Sequence, residues 1–280
     1  VASQGPFVLA ADGFSRRVVD KDVNHMTRLA SLLRKAHRVT FLTGAGMSTE
    51  SGLPDFRSNT GLWRQTDPMY LLSRLAFEDR PHEFYAFFRE NFLAWADAQP
   101  HCGHKAIARL EQLGRDVAVV TQNIDGLHQK AGSSVVLELH GHLRSIICTR
   151  CRREYPLATI ADESLPLCRQ CKAILEPAVV LFGDPLPSDL FEQAVERMQE
   201  TDVLVVVGTS LTVSPVNTLV DFLSSEASLV IINHTPTMAD ARAALVLRDS
   251  AGHVLSATVS QLADLMGRGY ANDDESDNMF

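Results

Sequence analysis

The chain has 280 residues, of which 45% are hydrophobic, and its formal net charge is −8. This length and apolar content predict one main globular domain with a smaller insertion. The acidic balance argues against a nucleic-acid partner. No apolar run approaches the roughly 18 to 20 residues that cross a bilayer, and residues 1–21 lack the pattern of a secretory signal, so we expect no membrane association and a cytoplasmic location.

Apolar, β-branched runs in the sequence predict buried strands, and amphipathic runs between them predict helices. The predicted strands span residues 39–42, 117–120, 135–139, 179–182, 203–207 and 229–232. The predicted helices span residues 26–35, 106–113, 190–199, with Ser188 as N-cap, and 216–223. Strands that alternate with helices in this way indicate an α/β fold with a doubly wound, Rossmann-like parallel sheet.

Two glycines, Gly44 and Gly46, directly follow the first predicted strand. Glycines at this place allow a tight turn and present backbone N–H groups to a pyrophosphate. The third glycine of the usual Gly-x-Gly-x-x-Gly pattern is replaced by Thr49, and no acidic residue ends a second strand about twenty residues later. An ordinary hydride-transfer dehydrogenase is therefore disfavoured, and the two glycines alone are also compatible with a plain turn.

Polar residues and further glycines follow the other predicted strands. Asn123 and Asp125 follow the second strand, His140 ends the third, and Gly208 and Asn233 follow the last two. Because ligands of open parallel sheets bind at the carboxyl ends of the strands, we expect these residues to converge on one cleft. By position alone, Asn123 and Asp125 could equally close an Asx turn, and His140 could be a core or capping histidine.

Four of the five cysteines form two Cys-x-x-Cys pairs, Cys148 with Cys151 and Cys168 with Cys171. This spacing is typical of a four-thiolate zinc site, in which no coordination position is left for water, so the metal is structural. Two disulfides are the alternative, which is less favoured for thiols in a reducing compartment. The fifth cysteine, Cys102, has no such partner and is interpreted as a packed or incidental thiol rather than a redox nucleophile.

Taken together, the motifs resemble the sirtuin family, in the family's order, over residues 26–266. The matching segments are residues 43–58, 121–128, 140–141, 182–184 and 208–211, together with Asn233. One departure is the segment from Pro100 to His104, where His101 stands in place of a more usual asparagine. Ala178 and Leu181 also differ from common family residues, which affects the substrate edge.

The resemblance implies an NAD-dependent protein lysine deacetylase. In such an enzyme NAD is consumed, nicotinamide is released, and the acetyl group of acetyl-lysine in a protein or peptide passes to ADP-ribose. The matching histidine, His140, would be the general base at the nicotinamide ribose. Asn123 would hold the ribose or a water molecule, and Asp125 would lie near the carboxamide. The four cysteines would hold one structural zinc.

The resemblance also implies a set of NAD contacts and a peptide-binding edge. The expected NAD contacts are Gly44, Ala45, Gly46, Thr49, Asp55, Phe56, Arg57, Gln122, Asn123, Ile124, Asp125, Gly208, Thr209, Ser210 and Asn233, with Val254 beside adenine near the final strand. The substrate peptide would add as a strand along Val179, Val180, Phe182 and Gly183.

Acyl selectivity is predicted from one helix of the small domain. Sirtuins that prefer negatively charged acyl groups carry a Tyr-x-x-Arg pair, and here Tyr85 is followed by Phe88 at the arginine position. A succinyl carboxylate would then be buried without a cation, which is costly. We therefore expect deacetylation, with longer apolar acyl groups tolerated. The surrounding aromatic residues are also compatible with simple core packing.

The predicted domain organisation follows the motifs. Residues 1–25 are an N-terminal extension, residues 26–60, 105–143 and 175–268 form the Rossmann-like domain, residues 61–104 are a helical insertion, residues 144–174 are a zinc-ribbon insertion, and residues 269–280 are an acidic tail.

Two other functions are weighed: a mono-ADP-ribosyltransferase that uses the same NAD site, and a non-catalytic NAD-sensing or zinc-bearing module. The intact histidine and cofactor motifs disfavour both.

Overall fold

A sheet of six parallel strands forms the centre of the structure, a computed structural model that describes residues 12–55, 68–161 and 163–273. In chain order the helices and strands are α1 (Asp12–Lys35), β1 (Arg38–Thr43), α2 (Pro68–Leu71), α3 (Arg74–Asp79), α4 (Pro81–Phe92), α5 (Cys102–Gln112), β2 (Asp116–Thr121), α6 (Leu127–Ala131), β3 (Val136–Glu138), β4 (Gly141–Cys148), β5 (Glu154–Pro156), β6 (Leu175–Val179), α7 (Ser188–Glu200), β7 (Val203–Val207), β8 (Ser228–Ile232), β9 (Leu245–Leu247) and α8 (Ala251–Asp273).

The strand order of the large sheet is β3-β2-β1-β7-β8-β9, and every neighbouring pair is parallel. Successive side chains of a strand point to opposite faces, so β1 serves both layers. Val39 and Phe41 pack in the core that includes residues of α1, α5 and α8, whereas Leu42 packs in the core that includes α7. This confirms the doubly wound α/β fold. From β1 the chain adds β2 and β3 on one side of the sheet, and it then continues on the other side with β7, β8 and β9. The boundary between β1 and β7 is therefore the topological switch point, where ligands of such sheets bind.

A smaller antiparallel sheet, β5-β4-β6, lies outside the main one. The prediction of a parallel strand over 179–182 is wrong, because β6 ends at Val179 and pairs with β4 in this small sheet. A short apolar run does not reveal which sheet its strand joins. The small sheet extends from Gly141 to Val179, while the predicted insertion bounds at 144 and 174 remain predictions.

A separate core fills the smaller domain. It brings together the small sheet and the aromatic side chains of α4, where Phe84, Tyr85, Phe88 and Phe92 are each no more than 1% exposed. Their rings follow one another at centroid distances of 5.0 to 5.7 Å, as aromatic side chains pack in protein interiors. Core packing therefore accounts for most of this cluster.

The helices depart from the predictions at several points. Helix α1 begins at Asp12 and not near residue 26, because residues 14–25 contain neither proline nor glycine. Ser188 is the first residue of α7, whose N-cap is Pro187. The predicted helix at 216–223 is a 3₁₀ helix over Val216–Phe222. Strand β9 and helix α8 were not predicted. Among the described residues, no helix is both long and apolar enough to cross a membrane.

Candidate active site and metal centre

A cavity of about 920 Å³ opens at the carboxyl ends of the central strands. Most of the predicted site residues line it: Gly44, Ala45, Gly46, Thr49, Asp55, Gln122, Asn123, Ile124, Asp125, His140, Val179, Val180, Phe182, Gly183, Gly208, Thr209, Ser210 and Asn233. The chain brings them together because β1, β2, β7 and β8 all end at this edge. Phe56 and Arg57 lie outside the described residues.

Val254 is placed elsewhere. The final strand is β9, and Val254 lies beyond it in helix α8, where it is fully buried in the core beneath the sheet. It is not among the residues that line the cavity. The prediction rested on a rough positional match near the final strand, which does not reveal that the following helix turns this side chain into the core.

The glycine turn after β1 packs directly on the turn after β7. Gly44 N–H donates to the Val207 carbonyl at 3.1 Å, and Gly46 N–H donates to the Gly208 carbonyl at 2.9 Å. A Cβ on Gly208, whose φ is +61°, would lie 2.2 Å from the Met47 nitrogen. The two predicted phosphate donors are thus engaged inside the protein, and the glycines serve the close approach of two backbones. Ala45 N–H makes no such bond to a described residue, and Ala45 lines the same cavity.

A buried polar cluster lies beside this turn. Asp125 accepts hydrogen bonds from Ser48 Oγ at 2.7 Å and from the Leu127 N–H at 2.8 Å. Asn123 Nδ2 donates to Ser48 Oγ and to the Gly44 carbonyl, both at 3.1 Å. Burial raises the pKa of Asp125, although both of its hydrogen bonds favour the ionised form. The cluster fixes an amide and a carboxyl group in the cavity wall.

His140 lies between β3 and β4 and presents its ring to the cavity. Its Nδ1 is 3.0 Å from the Gln122 carbonyl oxygen, which can only accept a hydrogen bond. Nδ1 therefore carries the proton in the neutral ring, and Nε2 is left with a lone pair. Burial lowers the pKa of His140, against a smaller opposing effect of the bond to Gln122. This is the electronic state of a general base.

The part of the cavity wall that follows β7 and β8 is polar. Gln122 Nε2 donates to Thr209 Oγ1 at 3.0 Å, and Asn233 Nδ2 donates to the Thr235 carbonyl at 2.8 Å. Arg248 Nη1 donates to the Asn233 carbonyl at 2.9 Å. Amide and hydroxyl groups held in this way can bind the hydroxyls of a ribose and the oxygens of a phosphate.

The end of the cavity near α4 is apolar, with Phe88, Phe92 and Trp95 in its wall. Tyr85, one turn from Phe88, points its hydroxyl to the Leu175 carbonyl, to which it donates a hydrogen bond. Neither a cation nor a free tyrosine hydroxyl is therefore available from these two positions. The chemistry of this wall suits a small apolar group.

The four paired cysteines form a compact cluster in the smaller domain. Their sulfur atoms all lie within 4.8 Å of one another, with Cys148 Sγ 3.4 Å from Cys171 Sγ and Cys151 Sγ 3.7 Å from Cys168 Sγ. Tetrahedral zinc with bonds of about 2.3 Å places its sulfur ligands roughly 3.8 Å apart, which these distances match. All five cysteines are free of disulfides. The donor set thus fits a structural zinc and contradicts the disulfide alternative.

Sequence comparisons identify the family. The model of the Sir2 family matches residues 44–215. An NAD-dependent protein deacetylase of Bacillus cereus is 42% identical over 219 residues, which cover 77% of this chain and 89% of that protein. One of Clostridium perfringens is 38% identical over 240 residues, covering 84% and 98%. The chain belongs to the Sir2 family.

Solved Sir2 structures share the fold over nearly their whole length. A Sir2 complex with a deacetylated p53 peptide and 3'-O-acetyl ADP ribose superposes with a TM-score of 0.80 at 33% identity, covering 84% of this chain and 98% of that one. A Sir2 complex with a p53 peptide and NAD⁺ gives 0.74 at 34% identity, covering 88% and 99%. The sirtuin resemblance read from the motifs is confirmed.

Several residues of this Sir2 site were missed by sequence reasoning. Ser48 is 2% exposed and joins Asn123 to Asp125, yet serine in a glycine-rich turn carries no distinctive signal. His101 accepts from the Gly103 N–H as N-cap of α5, and its Nε2 lies 2.6 Å from the Met47 carbonyl. His101 stands where an asparagine is more usual, and this departure could have indicated that the residue also contacts the turn after β1.

Proposed function

We propose that this chain is an NAD-dependent protein lysine deacetylase, which transfers the acetyl group of acetyl-lysine to ADP-ribose and releases nicotinamide. One observation carries the proposal: His140 is held in the wall of the Sir2 cavity as a neutral imidazole whose Nε2 is free to take a proton. The names of the relatives, which are NAD-dependent protein deacetylases, support it.

The cavity offers distinct places for the two substrates. NAD, when bound, supplies the ADP-ribose that accepts the acetyl group. The groups proposed to hold it are the Ala45 N–H, the polar cluster of Asn123 and Asp125, and the polar end that contains Thr209 and Asn233, with Phe56 and Arg57 proposed as further contacts. Apolar walls exclude water from the reacting centre, which strengthens polar interactions there.

The proposed second substrate is an acetylated lysine in a protein or peptide. We propose that its backbone pairs along residues 179–183, whose side chains line the cavity beside His140. Strand addition uses main-chain hydrogen bonds, so it sets little sequence preference. His140 would take the proton of a ribose hydroxyl as that oxygen bonds to the acyl carbon; the bond from this carbon to the lysine nitrogen then breaks, and the free lysine amine is released. Cysteines that bind a metal as thiolates are typical of proteins in a reducing compartment, so we propose that this protein is located in the cytoplasm.

The wall formed by Phe88, Phe92 and Trp95 supports acetyl as the preferred acyl group. A succinyl group would carry its carboxylate into this apolar end, where the Tyr85 hydroxyl is already bonded to Leu175. An unpaired buried charge is strongly unfavourable. Longer apolar acyl groups lack this cost and are proposed to be tolerated.

The test is mass spectrometry of the wild-type protein with an acetyl-lysine peptide, with and without NAD, beside a succinyl-lysine peptide. We expect NAD-dependent loss of acetyl, formation of O-acetyl-ADP-ribose and little desuccinylation. His140→Ala should lower the rate at least about 100-fold, because general base catalysis contributes that much. His142→Ala is the matched control, since His142 does not line the cavity, and it should stay active.

Other products would overturn parts of the proposal. If NAD is cleaved and a protein gains ADP-ribose while the peptide keeps its acetyl group, the chain is a mono-ADP-ribosyltransferase. If neither substrate changes, it is a non-catalytic module. Efficient removal of succinyl would show that the apolar wall does not select against a carboxylate.

A further inference from the structure

The guanidinium of Arg74 connects three parts of the smaller domain beside the cavity. Its Nε and Nη2 each donate to one oxygen of Asp184 at 2.9 Å, a bidentate pair. Its Nη1 donates to Glu176 on β6 at 3.0 Å. The backbone N–H of Arg74 also donates to the Phe182 carbonyl at 2.9 Å. One residue at the start of α3 thus contacts both ends of the segment 176–184.

The segment that Arg74 contacts includes the proposed peptide-binding edge. Beyond Val179, where the pairing with β4 ends, two backbone bonds also anchor the segment: Val180 N–H donates to the His140 carbonyl, and Phe182 N–H donates to the Leu72 carbonyl, both at 2.9 Å. Asp184 bends the end of the segment back, since its Oδ2 accepts from the Leu181 N–H at 3.1 Å. The Asp184 carboxylate therefore couples the guanidinium to the backbone of the edge.

The charges explain why an arginine is needed. The side chains of Asp184 and Glu176 are only 17% and 16% exposed, so neither carboxylate is well solvated. Burial is the largest single influence on Asp184 and opposes its ionisation, but the hydrogen bonds from Arg74 and the Leu181 N–H, together with the charge of Arg74, hold the pKa of Asp184 below its ordinary value. Only a planar guanidinium can bind one carboxylate with two parallel bonds and still donate to a second.

We propose that Arg74 is a positioning residue that holds residues 179–184 in the conformation that receives the acetyl-lysine peptide. It acts through Asp184 and the backbone of the edge, and it takes no part in NAD binding. This role rests on the proposed deacetylase function. Arg74 affects the affinity for the peptide, and it does not affect the chemistry at His140 or the binding of NAD.

The experiment compares Arg74→Met and Arg74→Lys with Arg152→Met, which removes the other arginine on Glu176, bonded at 2.9 Å, but does not touch Asp184. Steady-state kinetics are measured with acetyl peptide and NAD varied separately. Arg74→Met should raise KM for the peptide about tenfold, with kcat and KM for NAD within about twofold of wild type. Arg74→Lys should restore part of the affinity, and Arg152→Met should resemble wild type.

Amide hydrogen exchange on the free proteins separates this role from the proposed activity. In Arg74→Met the amides of residues 180–184 should exchange faster, while those of β1 and β2 keep their wild-type rates. If wild type shows no deacetylation, the proposed function fails, but the exchange comparison still decides whether Arg74 holds the edge. Unchanged exchange at 180–184, equal increases in both KM values, or the same effect in Arg152→Met would each overturn the proposal.

Discussion

His140 shows how one backbone contact decides the chemistry of a side chain. The sequence contains ten histidines, and their spacing does not say which ring nitrogen carries the proton. The Gln122 carbonyl settles this by accepting from Nδ1, and β2 and β3 bring the two residues together because they are neighbours in the sheet. The position after a strand was predictable, whereas the tautomer depends on a contact between two loops.

The lowered pKa of His140 predicts the acid side of the activity profile. The neutral ring is the active base, and its pKa in the folded protein lies below the ordinary value of about 6.5. The active form therefore persists as the pH falls through 6.5 and is lost only below it. We expect the acid limb of kcat/KM for the acetyl peptide to lie below pH 6.5.

Asp125 is another titratable group in the cavity wall, and burial moves its pKa upward from its ordinary value. Asp125→Asn should keep the acid limb if His140 produces it, even where the overall rate is lower. An acid limb at or above pH 6.5 in the wild type would contradict the expected effect of burial. Loss of the limb in Asp125→Asn would assign it to the carboxylate.

At the scale of elements, the glycine N–H groups of the turn after β1 were expected to bind a pyrophosphate, and in the structure they bind backbone carbonyls at the end of β7 instead. The turn after β1 was predicted from its glycines, but the partner of those glycines is the turn after β7, which lies far away in sequence. Pattern analysis sees only neighbours along the chain. The same limit explains why a parallel strand was predicted over residues 179–182, whereas β6 ends at Val179 and pairs with β4, a partner that composition does not specify.

Tyr155, in strand β5, supports the metal centre of the smaller domain. Its hydroxyl oxygen accepts from the Arg169 N–H at 3.2 Å and lies 3.1 Å from Cys168 Sγ, to which it donates when that sulfur is a metal-binding thiolate. Hydrogen bonds to metal ligands fix their orientation and affect metal affinity. We expect Tyr155→Phe to release zinc to a chelating dye about tenfold faster than wild type.

The control for this experiment is Tyr70→Phe, because Tyr70 is 58% exposed and does not contact the cysteines. Its zinc release should match that of wild type. Equal release rates in Tyr155→Phe and wild type would mean that the hydroxyl bond contributes nothing to metal retention.

For the whole molecule, the sequence was sufficient for the α/β class, the order of five of the six parallel strands along the chain and the position of most cavity residues. These depend on local apolar runs and on the rule that ligands bind at the carboxyl ends of strands. It missed β9, which has three residues, and α8, whose apolar positions pack on α1 and α5. Short strands and tertiary packing leave weak local patterns.

Two buried histidines next to the main core make the stability of the protein depend on pH. His104 and His128 are at most 1% exposed, and their rings lie 4.8 Å apart, near that of His101. Both nitrogens of His104 and Nδ1 of His128 have no hydrogen-bond partner among the described residues. Burial lowers the pKa of His104 to about 2 and that of His128 to about 3, and neighbouring histidines add to this.

The lowered pKa values of the two buried histidines make the protein less stable at acidic pH. The unfolded chain takes up protons near pH 6.5 and the folded chain does not, so the free energy of unfolding falls as the pH decreases below 6.5. Each histidine contributes at most about 1.4 kcal/mol per pH unit. Urea denaturation at pH 7.5, 6.5 and 5.5 should show this loss, above the range in which ordinary carboxylates titrate.

His128→Gln keeps a polar side chain that does not titrate, and it should reduce the slope between pH 6.5 and 5.5 even if it lowers stability at pH 7.5. The exposed His253 gives the matched comparison, because His253→Gln leaves both buried rings in place. An unfolding free energy that is independent of pH between 7.5 and 5.5 would show that the buried rings do not stay neutral.

Strands β4 and β6 join the metal centre to the catalytic end of the cavity. At one end Cys148 pairs with Leu175, and at the other Gly141, the residue after His140, pairs with Val179. The two ends are roughly 20 Å apart along β4, and the pairing shifts register between Gly141 and Ile146. We expect loss of the zinc ion to disturb this pair of strands and thereby to slow acetyl removal, although the ion itself lies far from the reacting groups.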